Sequence, residues 1–503
     1  MPTLHSRFLI ATFSLLPVLS AFGDEKDKED KNPDPLLKTE PTEAEVTIAG
    51  EIINYTVQTN TLTLKNDEGE DQASIFHVTY LRQGQEDSSE RPVTFAFNGG
   101  PGSSAVWLHL GALGPKLVPT SPDGTEALTP PITLEDNPHS ILDVTDLVFI
   151  DPVSTGYSRA EDNKKSNQFH GLEGDIESVG DFIRRWTTEN QRWGSPKFLL
   201  GESYGGIRAA GLAEHLQSRY GMSLNGVVLL SSLLDFRTLQ SSNGDYLQNL
   251  VYLPAYAAVA HHHGKIDRDR EELLAEARAF ANGPYASALF AGNTLGQAEL
   301  ENLANKLSEL TAIPTELWVE TKLRLSPSRF RRELLRDSEK VIGRFDGRVA
   351  WDQHTSDSDW PTYDPSYAVA YGAFSTAMLA YLTDDLGANQ VAMPYEILTG
   401  KVRPWRWDAE NSIVNVSNRI QSALRDNPKL QILVMGGLTD LATPPAGIEY
   451  SLSQLVDLPK AAQDNIQLNY YDAGHMFYLN EPDLVKMRKD LVQFFQEASP
   501  SSK

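Results

Sequence analysis

A chain of 503 residues, 40% hydrophobic and 22% charged, has material for a large globular core and room for an inserted second unit. Its formal net charge of −24 denies it the basic surface that nucleic acids and anionic membranes require, so neither is expected as a partner. With no cysteine, disulfides, thiolate metal sites and cysteine nucleophiles are excluded together, and any catalytic nucleophile must be oxygen or nitrogen.

Residues 1–23 read as a secretory signal. Arg7 precedes an apolar run from Phe8 to Leu19, and Ala21-Phe22-Gly23 supplies small residues at a cleavage site. The run is shorter than the roughly 20 residues that cross a bilayer as a helix, and Pro17 interrupts it; no later stretch is long enough, so no integral membrane segment is expected after signal removal. Export without cysteine points to a bacterial periplasmic or extracellular protein. Residues 24–42, mostly Asp, Glu, Lys and Pro, read as a disordered acidic linker.

The first catalytic-core segment is expected over 43–232. Apolar positions alternate around polar turns from Glu45 to Leu64 (Val46, Ile48, then Ile53, Tyr55, Val57, then Leu62, Leu64) and again from Ala73 to Leu81, the pattern of antiparallel edge strands. Val93–Phe97 and Leu147–Ile150 are continuous apolar runs, as strands covered on both faces require, and the first ends in the glycine-rich Asn98-Gly99-Gly100-Pro101-Gly102-Ser103-Ser104. Ile176, Val179, Ile183 and Trp186 recur at helical spacing. Lys197–Leu200 reads as the end of another buried strand, and Ile207, Ala210, Leu212, Ala213 and Leu216 form the inner face of the helix that follows.

Between that strand and helix lies Gly201-Glu202-Ser203-Tyr204-Gly205-Gly206, a serine flanked by glycines where a strand turns sharply into a helix. A Cβ at Gly201 or Gly205 would clash with the strained serine. The turn opens a helix, so the free Tyr204 N–H and the positive end of the helix dipole can receive a developing oxyanion. Val227–Leu230 is the next strand. Residues 233–385 lose the strand pattern and show helical spacing over Arg270–Ala281, Gln297–Leu310 and Ser366–Leu386, a helical cap insertion. The core resumes over 386–499, with strands at Ile432–Met435 and Ile466–Tyr471 and a last helix burying Leu484, Met487, Leu491 and Phe494. This is an α/β fold with a mostly parallel central sheet, and the cap shapes a pocket over the sheet's carboxyl edge.

A serine needs a base and an orienting acid. Asp440 follows the strand ending at Met435, and His475 follows the next strand, so the order Ser203, Asp440, His475 is that of α/β-hydrolases. Asp472 competes for the acid's role, but three residues before His475 it faces the turn. His215 lies too far down the helix after Ser203, and His261-His262-His263 reads as a solvated helix end rather than a metal site.

These motifs resemble the serine carboxypeptidases, and in particular their cysteine-free bacterial members. Gly201–Gly206 matches that family's nucleophile motif, Asn98–Ser104 its Asn-Gly-Gly-Pro-Gly loop, and Asp151–Ser158 its Asp-Pro-Gly-Tyr-Ser loop; Tyr252–Lys265 is similar to the bacterial branch. Phe97, Ser103 and Gly437 depart from the common Trp, Cys and Asp, and none of the three is a triad member. The resemblance implies an α/β-hydrolase fold and a secreted serine carboxypeptidase acting on peptides with a free C-terminal carboxylate, through an acyl-enzyme and without metal or organic cofactor. It further implies that the Gly100 and Tyr204 amides form the oxyanion hole and that Asn98 and Glu202 bind the substrate's terminal carboxylate. An esterase or acyltransferase on the same scaffold, or an inactive peptide-binding relative, is the alternative, and the sequence leaves the oligomeric state open.

Overall fold

The structure, a computed structural model, describes residues 37–499 apart from 86, 241–243, 354–357, 389–391 and 411. The signal read at 1–23 and the linker as far as residue 36 lie outside the described residues. Among the described residues, no helix is long and apolar enough to cross a membrane.

A ten-stranded sheet organises the core. We number its nine principal strands β1 (Thr42–Ile48), β2 (Glu51–Lys65), β3 (Asp71–Arg82), β4 (Val93–Phe97), β5 (Asp146–Ile150), β6 (Lys197–Glu202), β7 (Gly226–Leu230), β8 (Gln431–Gly437) and β9 (Ile466–Tyr471). The spatial order is β1-β2-β3-β5-β4-β6-β7-β8-β9, and the short Arg159–Ala160 strand pairs with β3. From β5 through β9 every pairing is parallel, whereas β1, β2 and β3 add as an antiparallel flank. The fold is that of the α/β-hydrolases.

Strands β4, β5, β6 and β7 are buried along their whole length, which is why they read as unbroken apolar runs. Helices cover both faces: α1 (Leu172–Glu189) and α2 (Tyr204–Tyr220) lie on one, α3 (Glu481–Ala498) on the other, where Phe494 and Phe495 pack on Phe198 of β6. The chain leaves β4, places β5 on one side, then returns to lay β6 on the other. The carboxyl ends of β4 and β6 therefore diverge in a crevice at a topological switch point, where open α/β sheets bind their ligands.

Three sequence expectations need correction. Of the turns expected within residues 45–64, one forms at Ala49–Gly50, but the polar run 58–61 makes none, because β2 continues unbroken to Lys65: Thr59 and Thr61 are buried, and segment 37–39 satisfies them, Leu37 N–H donating to Thr61 Oγ1 at 3.0 Å and the Thr39 and Thr59 hydroxyls meeting at 3.0 Å. For the same reason residues from Leu37 onward, assigned by composition to a disordered linker, are fastened to the sheet, with Leu37 buried. Strand β3 is interior rather than an edge, since it pairs with β2 on one side and with β5 and Arg159–Ala160 on the other.

Between β7 and β8, helices Leu247–His262, Arg270–Phe280, Gln297–Thr311 and Thr315–Glu320 contribute to a separate apolar cluster around Tyr256, Trp318 and Phe330. The same stretch holds an antiparallel hairpin, Lys340–Ile342 with Ala350–Asp352, that helical periodicity does not reveal. Its connecting residues, 343–349, reach back onto the sheet's carboxyl edge.

Candidate active site

Ser203 ends β6 and opens α2 with φ 60° and ψ −126°, a left-handed conformation that a serine holds only where its surroundings enforce it. The enforcement is steric. A Cβ on Gly201 would land on the carbonyl of Gly205, and one on Gly206 would land on the Ser232 side chain, so β6 and α2 meet at backbone distance and Ser232, just past β7, closes on the same turn. The loop after β4 is pressed onto the same turn, since a Cβ on Gly99 would stand 2.5 Å from Tyr204 N. Tyr204 itself packs its buried ring against Trp405 and Trp407, leaving its backbone N–H as the part that faces the turn.

Asp440 and His475 stand on the loops after β8 and β9. His475 Nδ1 lies 2.7 Å from Asp440 Oδ2, and Asp440 Oδ1 accepts the N–H groups of Ala442 at 2.7 Å and Thr443 at 2.9 Å. Both side chains are buried. The Thr443 hydroxyl, not singled out by sequence, lies 3.0 Å from His475 Nδ1, 2.9 Å from Asp440 Oδ2 and 2.7 Å from the Ser231 carbonyl. Burial disfavours the imidazolium, but the charge and hydrogen bond of Asp440, and then the charge of Glu202, outweigh it and hold His475 above its ordinary value. Asp472 points elsewhere, its largely exposed carboxylate pairing with Arg270 at 2.8 Å. His215 packs against Tyr220, and His261 and His263 bond to the Arg268 and Gly347 carbonyls.

Ser203 and His475 line one cavity of about 430 Å³, together with Asn98, Gly100 and Glu202. Glu202 is buried, and burial pushes its carboxyl up to about 7 despite the opposing influence of His475, Tyr478 and Asn98. Tyr478 OH donates to Glu202 Oε2 at 2.8 Å. The Asn98 Oδ1 is taken by Leu108 N–H at 3.2 Å, which leaves its amide N–H groups for other acceptors. The structure therefore brings Ser203, His475, Asn98, Gly100 and Glu202 to one wall, with Asp440 behind His475 and the Tyr204 N–H at the foot of the turn.

Two supporting features escaped sequence reasoning. Arg208, buried on α2, pairs with Asp175 of α1 at 2.8 Å, donates to the Asn98 carbonyl at 2.7 Å and lies over the Phe97 and Tyr204 rings. A lone charge on the apolar face of each helix was the available signal. Residues 343–349 bond to both triad loops: Gly347 N–H to the Thr439 carbonyl at 2.9 Å, Leu441 N–H to the Arg344 carbonyl at 3.1 Å, His475 N–H to the Phe345 carbonyl, and Thr439 Oγ1 to Asp346 at 2.9 Å. The Phe345 ring lies 5.1 Å from the imidazole. No local pattern announces a loop whose partners are about a hundred residues away. Among the described residues, no group of histidines and carboxylates is arranged to hold a metal ion.

The arrangement can support nucleophilic acyl transfer: a strained serine, a buried imidazole held by a carboxylate, and backbone N–H groups at a helix start. Comparison with known proteins points to one family. The model of the serine carboxypeptidase family matches residues 63–478. A serine carboxypeptidase-like 45 protein of Arabidopsis thaliana is 26% identical over 183 residues, 35% of this chain, and the match spans only 36% of that protein's length. Among solved structures, a prohormone-processing carboxypeptidase of Saccharomyces cerevisiae, Kex1(delta)p, superposes with a TM-score of 0.55 at 17% identity, covering 88% of this chain and 91% of that one; at such identity the likeness speaks for the fold.

Proposed function

The chain belongs to the serine carboxypeptidase family, and on that premise we propose that it releases C-terminal residues from peptides through a serine acyl-enzyme. Ser203 Oγ attacks the last peptide carbonyl while His475 takes its proton, and Asp440, bonded to Nδ1, keeps Nε2 directed at the serine. The N–H groups of Gly100 and Tyr204 receive the oxyanion, aided by the start of α2. His475 then protonates the leaving amine, and water enters to cleave the acyl-enzyme by the reverse proton route. Asn98 donates to the substrate's terminal carboxylate, and Glu202, its proton retained by burial, does the same.

The observation that carries this reading is the shared wall. A carboxyl that burial raises to about 7 and an amide line the same cavity as Ser203 and His475, which is the equipment for a carboxylate at fixed distance from the scissile bond.

The test is a comparison of three substrate classes: peptides with free C-termini, the same peptides amidated, and uncharged esters. Cleavage of the free peptides with at least tenfold loss on amidation is expected. Equal cleavage of free and amidated peptides would refute the carboxylate site, and ester cleavage without peptide cleavage would refute the peptidase reading. We also propose export directed by residues 1–23, motivated by Arg7 and the apolar run after it. Protein recovered from its native cell should then begin near Asp24, and an intact Met1 would overturn export.

A further inference from the structure

Two arginines, Arg344 and Arg403, line the cavity over Ser203, and Glu202 is the one acidic side chain that shares it among the described residues. The chain has 68 Asp and Glu against 44 Lys and Arg, so arginines whose guanidinium groups have no carboxylate partner among the described residues stand out. Other arginines are paired: Arg91 and Arg192 with Asp146, Arg348 with Asp346, Arg278 with Glu449. Among the described residues no carboxylate or carbonyl meets the guanidinium of Arg344 or of Arg403; the Arg344 guanidinium lies over its neighbour's ring, Phe345, at 5.1 Å, while the Arg344 backbone N–H donates to Asp364 Oδ1 at 2.9 Å. Both side chains are exposed, so their donors are available to an incoming group.

Each is presented from a braced backbone. Arg344 belongs to the loop whose carbonyls accept Leu441 N–H and His475 N–H, on the side of the base. Arg403 belongs to a segment fixed to the other catalytic loop, Thr399 N–H donating to the Gly102 carbonyl at 2.9 Å and Arg403 N–H to Gly400 at 3.0 Å. Both cations line the cavity that holds Ser203 and His475, in which a peptide seated on the serine would place its last two side chains. A guanidinium recognises a carboxylate by parallel N–H bonds, a geometry that an uncharged amide side chain cannot repay.

We propose that Arg344 and Arg403 make this cavity select peptides with an acidic side chain on one of the last two residues. The proposal rests on the carboxypeptidase reading and names its substrate class. The local positive charge works against an acidic molecule as a whole, so the preference belongs to the cavity and not to long-range attraction.

The experiment measures kcat/KM near pH 6 for acetylated tripeptides that differ only in Glu against Gln, at the terminal position in one pair and the penultimate position in the other. The expected Glu-to-Gln ratio is about two- to fivefold at one position or both. Arg344→Gln or Arg403→Gln should bring the ratio at the position it reads close to one, and the corresponding Arg→Glu change should invert it. A wild-type ratio of one or less at both positions, with Gln peptides cleaved, overturns the proposal and leaves the carboxypeptidase reading standing. A ratio above one that no variant alters also overturns it. Turnover of esters with none of the peptides would instead overturn the carboxypeptidase reading and this proposal with it.

Discussion

At Ser203 a positive φ is maintained by contacts between three backbones, and a hydroxyl so placed is reactive only when His475 faces it in the correct tautomer. Asp440 secures that tautomer through a 2.7 Å bond to Nδ1, so Asp440→Asn should leave substrate binding intact and lower kcat on the order of 10⁴-fold, as a proton-transfer unit with the wrong tautomer does. Steady-state kinetics with one peptide and one ester measures the loss, and a decrease under tenfold would rule out Asp440 as the orienting acid. Glu202 supports a second residue-scale prediction. Burial puts its carboxyl at about 7, so the proton it offers to a terminal carboxylate is present below that pH and lost above it. Peptide KM should therefore climb between about pH 6 and 8, whereas the efficiency of ester hydrolysis should rise as His475 becomes free base. In Glu202→Gln the amide still donates and does not titrate, so the alkaline climb in peptide KM should flatten. An unchanged climb in that variant would assign the effect to another group.

Helices α1 and α2 and the end of β4 are joined through one buried side chain, Arg208. Its guanidinium is desolvated, and the pair with Asp175 contributes to stability only while both partners are present. Arg208→Leu strands a buried carboxyl that burial already pushes upward, and it should destabilise the fold by about 3–5 kcal/mol, measured by denaturant unfolding. Arg208→Leu combined with Asp175→Leu should recover most of that loss, because no unpaired charge remains. Equal destabilisation in the single and double variants would mean that the cost lies in packing against Phe97 and Tyr204. The turn at β6 allows less relief. In Gly201→Ala the added methyl meets the Gly205 carbonyl, which belongs to α2 and cannot move away as a side-chain tip would. We expect a loss of roughly 1–3 kcal/mol with a disproportionate fall in kcat, as the serine is displaced from its position.

Across the whole molecule, buried titratable groups set opposing slopes of stability against pH. Burial lowers His77 to about 4 and His109 to about 3, so the unfolded chain takes up protons near pH 6.5 that the fold refuses. Stability from this source is present above about pH 6.5 and lost as pH falls. Glu202 and Asp151, both raised to about 7 chiefly by burial, do the reverse: the fold keeps protons that the unfolded chain has released near pH 4, and that stabilisation disappears as pH rises toward 7. Glu202→Gln removes one of the two compensating groups. Between pH 6.5 and 5 its unfolding free energy should therefore fall more steeply than that of the wild type, by about 1.4 kcal/mol per pH unit at full imbalance. Above about pH 8 the variant should be the more stable of the two. Thermal unfolding across this range decides the matter, and parallel profiles would show that Glu202 does not titrate with folding.

What could be read from the residues alone is what a few neighbours decide between themselves. The glycines of 201–206 announce the turn, although the atoms a Cβ would strike belong to Gly205, Phe97 and Ser232 rather than to the serine, and β4 to β7 announce themselves because a strand covered on both faces has no polar side to show. The places of Asp440 and His475 followed from chain order, since a parallel sheet delivers the residue after each strand to the same edge. Other features depend on partners far apart in the chain, and a single sequence carries no record of such distances. Thr59 and Thr61 resembled a turn until segment 37–39 arrived to satisfy them. Arg208 needed Asp175, and Thr443 needed Ser231. Residues 343–349 gained a role only when the insertion folded back on the loops of Asp440 and His475. The charge of the cavity was decided in the same way, because two arginines from separate loops line it only after the chain has closed around Ser203.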